Sequence, residues 1–181
     1  MKWKAGVDQA FEGVIHFQSY EEGPKIPGVR LVELTRHVAL EGSFMEILRL
    51  DQGSVEGDVE GFEVAQLSIT TATPGRINAF HVHPVEPQGE VWLVLTGTLK
   101  VVLVDLRFDG AEEPVLQELV LCAEQPRLLF IPPGVAHGYK AGPEGMSMMY
   151  AADRNFDASL PNEGRIPWDH FGAGIWQEDR G

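Results

Sequence analysis

The chain has 181 residues, 44% of them hydrophobic, which is enough to bury a sizeable core and favours a single domain over residues 1–181. Its formal net charge is −13, and no Lys/Arg-rich run offsets it, so the charge argues against a nucleic-acid partner. MKWKAGVDQAFEGV at the N-terminus lacks a signal peptide's apolar segment, no stretch reaches the roughly 20 apolar residues of a membrane span, and the lone Cys122 cannot form an internal disulfide; the chain reads as cytoplasmic, with no membrane partner.

Helical periodicity is weak, with Val7 to Val14 good for a turn or two at most. Short runs rich in Val, Ile, Leu, Phe and Thr then follow one another: FMEILRL, FEVAQLSIT, INAFHVH, VWLVLTG, TLKVVLVDL, VLQELVL, RLLFIP and MSMMYA. They read as strands. The breakers between them are Thr73-Pro74-Gly75, Pro87-Gln88-Gly89, Asp109-Gly110, Pro132-Pro133-Gly134 and Gly142-Pro143, which supply fixed or positive φ at chain reversals. Many short strands at regular spacing predict an all-β sandwich or barrel. Residues 154–181, rich in Gly, Pro and Asp, are expected to wrap the barrel as an irregular tail, with Phe156, Trp168 and Trp176 as anchors on its outer surface. Met146, Met148 and Met149 are expected in the core, and Asp105 and Arg107, on one face of a strand, as a structural ion pair.

Three histidines stand out. Residues i and i+2 of a strand share a face, so His81 and His83 in AFHVHP project together. Glu90 follows seven residues later, and a hairpin turning at Gly97 would set it beside the pair. His137 follows the turn of IPPGVAH, at a strand start. An isolated HxH favours plain surface residues, but Glu90 and His137 in turn-defined contexts favour a site for a divalent transition metal such as Fe, Mn, Zn or Ni, with positions open to substrate. Cys122 reads as a packed thiol, and His16, His37 and His170, without patterned partners, read as surface residues.

The spacing of Gly75, His81-x-His83, Glu90, Gly97, Pro132-x-Gly134 and His137 resembles the two motifs of cupins. Within cupins the chain is similar over most of its length to the dTDP-4-dehydrorhamnose 3,5-epimerase family, through Gly42-x-Phe44-x-Glu46, Gln66-x-Ser68-x-Thr70, the histidine of AFHVH, VVLVDLR, IPPGVAHGY, Tyr150, Glu163-Gly164 and Trp168. The resemblance implies a cupin-type jelly-roll β-barrel and a homodimer. It also implies proton abstraction beside the ketone of a nucleotide-linked sugar, with His81 as base and Tyr150 as acid and no cofactor. Four positions depart from that pattern: the family's pocket lysine falls at Glu90, its glutamine two after the base at His83, an arginine three before the base at Asn78, and another arginine at Glu41. The exchanges remove cations and restore the ligands of a metal-binding cupin.

Three functions follow from these residues. The first is an epimerase or isomerase of a keto sugar, acting through His81 and Tyr150 with or without metal assistance. The second is a metal-dependent cupin of other chemistry, an oxygenase or small-sugar isomerase, with His81, His83, Glu90 and His137 as ligands. The third is a non-catalytic sugar-binding cupin. The expected small-molecule partner is a sugar or nucleotide sugar.

Overall fold

A computed structural model describes residues 6, 8–11, 13–15, 17, 21, 23–57, 59, 61–107 and 113–177. Twelve strands are present among them: β1 (Arg30–Glu33), β2 (Arg36–Ala39), β3 (Gly42–Met45), β4 (Leu50–Asp51), β5 (Ser54–Val55), β6 (Gln66–Ala72), β7 (Ile77–Val82), β8 (Glu90–Asp105), β9 (Leu116–Cys122), β10 (Arg127–Ile131), β11 (Val135–Ala152) and β12 (Gly164–Arg165). Only two short 3-10 turns, Gln9–Phe11 and Ala173–Trp176, interrupt this all-β pattern.

The organising element is the long antiparallel pair β8 and β11, in register from Val135↔Asp105 to Ala152↔Glu90. Each strand changes its other partner midway. The C-terminal half of β8 pairs with β9 and its N-terminal end with β10, while β11 pairs first with β7 and then with β6. One sheet therefore divides into two layers, β9-β8-β11-β7-β12 and β1-β10-β8-β11-β6. The ladder does not close on itself among the described residues. The fold is thus the expected jelly roll, with an open rather than a closed ring of hydrogen bonds.

The side-chain parity records the passage between layers. Inward residues of β8 are Trp92 and Val94, then Leu99, Val101 and Leu103; those of β11 are Tyr139 and Ala141, then Met146 and Met148. An odd step separates the two sets on each strand, which in a period-2 structure requires an extra residue or a bend. The register shift between Ala141 and Met146 supplies it on β11, and Gly97, at φ 74°, faces it on β8. A Cβ at Gly97 would run into the Gly145 carbonyl, so only glycine permits the approach.

Two further cores cover the outer faces. Val91, Leu93, Leu128 and Ala151 pack under Val55, Val59 and Phe62. On the opposite side Phe80, Val102, Val104 and Ala136 pack under Trp176, whose indole N–H donates to the Trp168 carbonyl at 2.7 Å.

Several expectations change. Gly97 is a bend within continuous β8 rather than a hairpin turn, and Gly142-Pro143 lies in the bulge of β11 rather than at a chain reversal. FMEILRL splits, ending one strand at Met45 and beginning another at Leu50. The segment after Arg154 adds β12 to the edge of β7. Met146 and Met148 are inward core as expected, but Met149 packs on the outer cluster. Trp176 anchors the outer face, whereas Phe156 lines a cavity and Trp168 is largely exposed. Cys122 is half-buried at the end of β9. Asp105 and Arg107 form the expected ion pair. His37 and His170 lie apart from the site, stacked on Phe44 and set edge-on to Phe171. His16 and the Asp109-Gly110 turn lie outside the described residues. No helix among the described residues is long and apolar enough to cross a membrane.

Candidate functional site

The two layers meet over a cavity of about 290 Å³. From β7 and β11 come His81 and His137, directly paired in register. The other layer brings Glu90, Trp92, Met148 and Tyr150, with Tyr150 opposite Trp92, and Gln66 and Thr70 from β6. Tyr150, half-buried, thus lines the same cavity as His81. His83 follows β7 directly and lies behind the cavity wall, buried.

One ligand atom from each of His81, His83, Glu90 and His137 can be chosen so that all four lie within 4.8 Å of one another. The structure thus brings together every predicted ligand, and it also ranks them. His83 Nε2 lies 3.0 Å from Glu90 Oε1, and His137 Nε2 lies 3.6 Å from Glu90 Oε2; these three side chains are 3%, 5% and 3% exposed. His81 is 19% exposed, and its Nε2 touches the Glu163 carboxylate away from the ring's hydrogen-bonding axis.

Hydrogen bonds around the inner trio fix its rings. A carbonyl can only accept, so the 2.7 Å contact of His83 Nδ1 with the Asn162 carbonyl and the 3.1 Å contact of His137 Nδ1 with the Val135 carbonyl place a proton on each Nδ1. Each ring then turns Nε2 toward Glu90. Trp92 Nε1–H donates to Glu90 Oε2 at 2.6 Å, and Gln88 Nε2 lies 3.1 Å from His83 Nε2. The Nε2 atoms of His81 and His137 are buried without a hydrogen-bond partner. Orphaned buried nitrogens are costly unless something else satisfies them.

The electrostatics follow from burial and from the single carboxylate. Burial alone would raise the Glu90 pKa, but the field of His137 and the hydrogen bonds from His83 and Trp92 overcome it, so Glu90 is held ionised. Burial works against a charge on His83 as well, yet the Glu90 and Asn162 hydrogen bonds raise its pKa. His137 is lowered by burial above all. His81 is pushed down to about 3, first by burial and then by the fields of His137 and His83. The Glu90 carboxylate acts in the opposite direction without reversing the shift, so the site favours the neutral ring.

Gln66, Thr70 and Glu163, which line the cavity, stand in segments that carry the family resemblance but were not among the expected site residues. Glu163 and Arg165 come from the tail, and Arg165 donates to Asn78 Oδ1 at 2.6 Å. Asn162 reaches the site through its main chain. Trp92 was legible from its place two residues after Glu90 on one strand face.

The donor set fits a metal. Two imidazoles with Nδ1–H held by carbonyls and a carboxylate held by an indole N–H are the outer hydrogen bonds that orient metal ligands. Two histidines and one carboxylate also form a recognised three-ligand set with open positions. Close beside them, a neutral imidazole and a phenol face one cavity, which is the equipment for moving a proton from and to carbon.

Comparison with known proteins agrees with the proton-transfer part of this chemistry. The sequence profile described as dTDP-4-dehydrorhamnose 3,5-epimerase matches residues 24–178. The spore coat polysaccharide biosynthesis protein SpsL of Bacillus subtilis (strain 168) is 36% identical over 145 residues, 80% of this chain and 91% of that protein. Among solved structures, dTDP-4-dehydrorhamnose 3,5-epimerase from Bacillus anthracis, with TDP and PPi bound, superposes with a TM-score of 0.67 at 24% identity, over 81% of this chain and 83% of that one. The 3'-monoepimerase ChmJ from Streptomyces bikiniensis, in complex with dTDP-quinovose, superposes with a TM-score of 0.68 at 17% identity, over 82% and 75%. The chain belongs to the dTDP-4-dehydrorhamnose 3,5-epimerase family and is an epimerase-like carbohydrate isomerase on a cupin jelly roll.

Proposed function

We propose that the cavity epimerises or isomerises a nucleotide-linked keto sugar at a carbon next to its carbonyl, with His81 taking the proton and Tyr150 returning one, beside a divalent metal held by His83, Glu90 and His137. The observation that carries this reading is the division of the four candidate ligands into a buried trio centred on Glu90 and a more exposed, neutral His81 at the cavity wall. This division removes a conflict, since a ring whose cavity-facing nitrogen binds metal cannot also accept a proton there. When bound, the metal would polarise a ketone oxygen, the electrophilic help that a lysine gives in the family pattern. Glu90 occupies that lysine's place. The residues themselves bind, orient and move the proton: His81 neutral and ready to accept, Tyr150 opposite Trp92 on the facing layer.

The family match and the structural neighbours that bind dTDP-quinovose, in one case, and TDP with PPi, in the other, support a nucleotide-linked substrate. Arg154 and Arg165 line the cavity and are the groups for its anionic end. A homodimer is the further part of the reading. Val38, Leu40 and Phe44 of the β2-β3 hairpin are exposed, as are Leu67 and Ile69 of β6, whose outer edge has no strand beside it among the described residues. An isolated two-stranded hairpin is marginal in water, so a second copy covering these faces explains them best.

Incubation with a dTDP-4-keto-6-deoxyhexose in deuterated water tests the reaction: deuterium is expected at the carbons beside the ketone, and no exchange with several such sugars overturns it. Elemental analysis of protein purified without added metal is expected to find about one divalent ion per chain. A metal-free protein that exchanges normally would leave His81 and Tyr150 acting alone, as the family pattern implies.

A further inference from the structure

The segment that lines the cavity and the ring that faces the metal position are joined by one residue. β12 pairs with β7 through Gly164↔Val82 and Arg165↔His81. The approach is close: a Cβ on Gly164 would meet Val82 Cγ1 at 2.9 Å and the Val82 carbonyl oxygen at 3.1 Å. Continued back along the chain, the antiparallel course sets Asn162 beside the turn that follows His83.

Asn162 grips that turn with every polar group of its side chain. Its Oδ1 accepts the main-chain N–H of Val85 at 2.9 Å and of Glu86 at 3.2 Å, and its Nδ2 donates to the Glu86 carbonyl at 2.7 Å. The same grip delivers its main-chain carbonyl to His83 Nδ1 at 2.7 Å. Pro84, Val85, Glu86 and Pro87 are exposed, and the tail holds this turn at two points: Arg154, whose Nε donates to the Pro87 carbonyl at 2.7 Å and whose Nη2 lies 3.4 Å from Glu86 Oε2, and Asn162, which alone of the two also reaches His83. On either side of Asn162, Phe156, Glu163 and Arg165 line the cavity.

We infer that Asn162 is a positioning residue for the metal trio: by clamping residues 85–86 it holds its own carbonyl on His83 Nδ1, keeping Nε2 turned to the ion and tying metal affinity to the seating of residues 154–165. The inference rests on the proposed metal at His83, Glu90 and His137. It concerns a neutral amide that touches neither the metal position nor the reacting carbon, so its effect is on ring orientation. Loss of such an outer hydrogen bond weakens a metal site by about 10–100-fold.

The test compares full-length wild-type protein with Asn162→Ala and Asn162→Asp, using Zn²⁺ competition against a chromophoric chelator. Asn162→Ala is expected to raise the Zn²⁺ dissociation constant by about 10–100-fold. Asn162→Asp, which keeps both acceptor contacts with Val85 and Glu86, is expected to recover much of that loss. Nitrogen-15 NMR of the metal-free proteins supplies a readout that general destabilisation does not move: a protected His83 Nδ1–H in wild type and an exchange-broadened one in Asn162→Ala. A wild-type protein that binds no Zn²⁺ overturns the underlying metal reading. Wild type and Asn162→Ala binding Zn²⁺ equally, with the same His83 Nδ1–H signal, overturns the role of Asn162 alone.

Discussion

The interior of this molecule buries charge while part of its exterior exposes hydrocarbon. Between the layers, Glu90 and three histidines occupy positions that a β-sandwich of this size would ordinarily give to Leu or Val. Outside, on the β2-β3 hairpin and β6, Val38, Phe44 and Ile69 are 79%, 65% and 68% exposed. Both regions invert the usual partition, and each inversion costs free energy unless a partner relieves it. For the interior the proposed partner is an ion and a substrate; for the exterior it is a second copy of the chain. The contrast teaches how the partners differ, since the inner cluster is already hydrogen-bonded and oriented, whereas the outer surface is only apolar.

The largest effect is expected at His81. His81→Asn should slow deuterium exchange into a dTDP-4-keto sugar by about 10²–10⁴-fold, the usual worth of a general base, while leaving the bound metal in place. Loss of metal together with exchange would make His81 a ligand and move it into the inner group. Glu90→Gln comes next. It removes the carboxylate shared by His83 and His137 and should weaken metal binding by more than the about 10–100-fold due to an outer hydrogen bond, as read by elemental analysis after dialysis. Retained stoichiometric metal would sink the assignment of the trio.

How much of this was open to reading from the chain differs between the two regions. His81 and His83 were visible because strand geometry puts i and i+2 on one face, and His137 because Pro132 and Gly134 mark the turn before it. Glu90 was placed correctly for an incorrect reason. Gly97 looked like a hairpin turn, but β8 runs straight through it, and Glu90 meets the histidines because the bent β8-β11 pair folds one layer over the other. A glycine permits a bend and a reversal equally, and only the pairing of Gly97 with Met146 beside the bulge decides. Asn162, Glu163 and Arg165 were harder still. Their segment has no periodicity, and it reaches the site through contacts 76 to 87 residues away in sequence, such as Asn162 with Glu86 and Arg165 with Asn78. A homodimer was expected from the resemblance and from an otherwise exposed N-terminal strand region, but which faces of β2, β3 and β6 would meet a partner was not legible, because their alternation reads the same whether the outer side meets water or another chain.

The outer region is tested by Ile69→Glu and Phe44→Glu. Each places a carboxylate in a face that a second copy would bury, and an unpaired buried charge costs several kcal/mol, so the dimer dissociation constant should rise by about 100-fold or more. Sedimentation velocity reads this directly. A wild-type protein that sediments as a monomer at every concentration would leave the exposed hydrocarbon to another partner.

The smallest effect is expected at a pair belonging to neither region. Asp105 accepts from Arg107 Nε at 2.7 Å and Nη2 at 2.9 Å, and Arg107 Nη2 also donates to the Pro27 carbonyl at 2.7 Å, so the pair ties the end of β8 to the chain before β1. Both side chains are partly exposed, which limits the pair to about 1 kcal/mol or less. The hydrogen bond from Arg107 holds the Asp105 carboxyl below its ordinary 3.8. A depressed carboxylate contributes stability that is present above the unfolded value and is lost as pH falls through the folded one. Asp105→Asn should therefore lower the Tm by about 2–4 °C near neutral pH, with the difference from wild type shrinking below about pH 4. Because Asp105 touches neither the metal trio nor the exposed faces, the variant should bind metal and associate as wild type does. A change in either would mean that the two regions communicate through the end of β8, and the contrast between an oriented interior and an independent apolar exterior would fail.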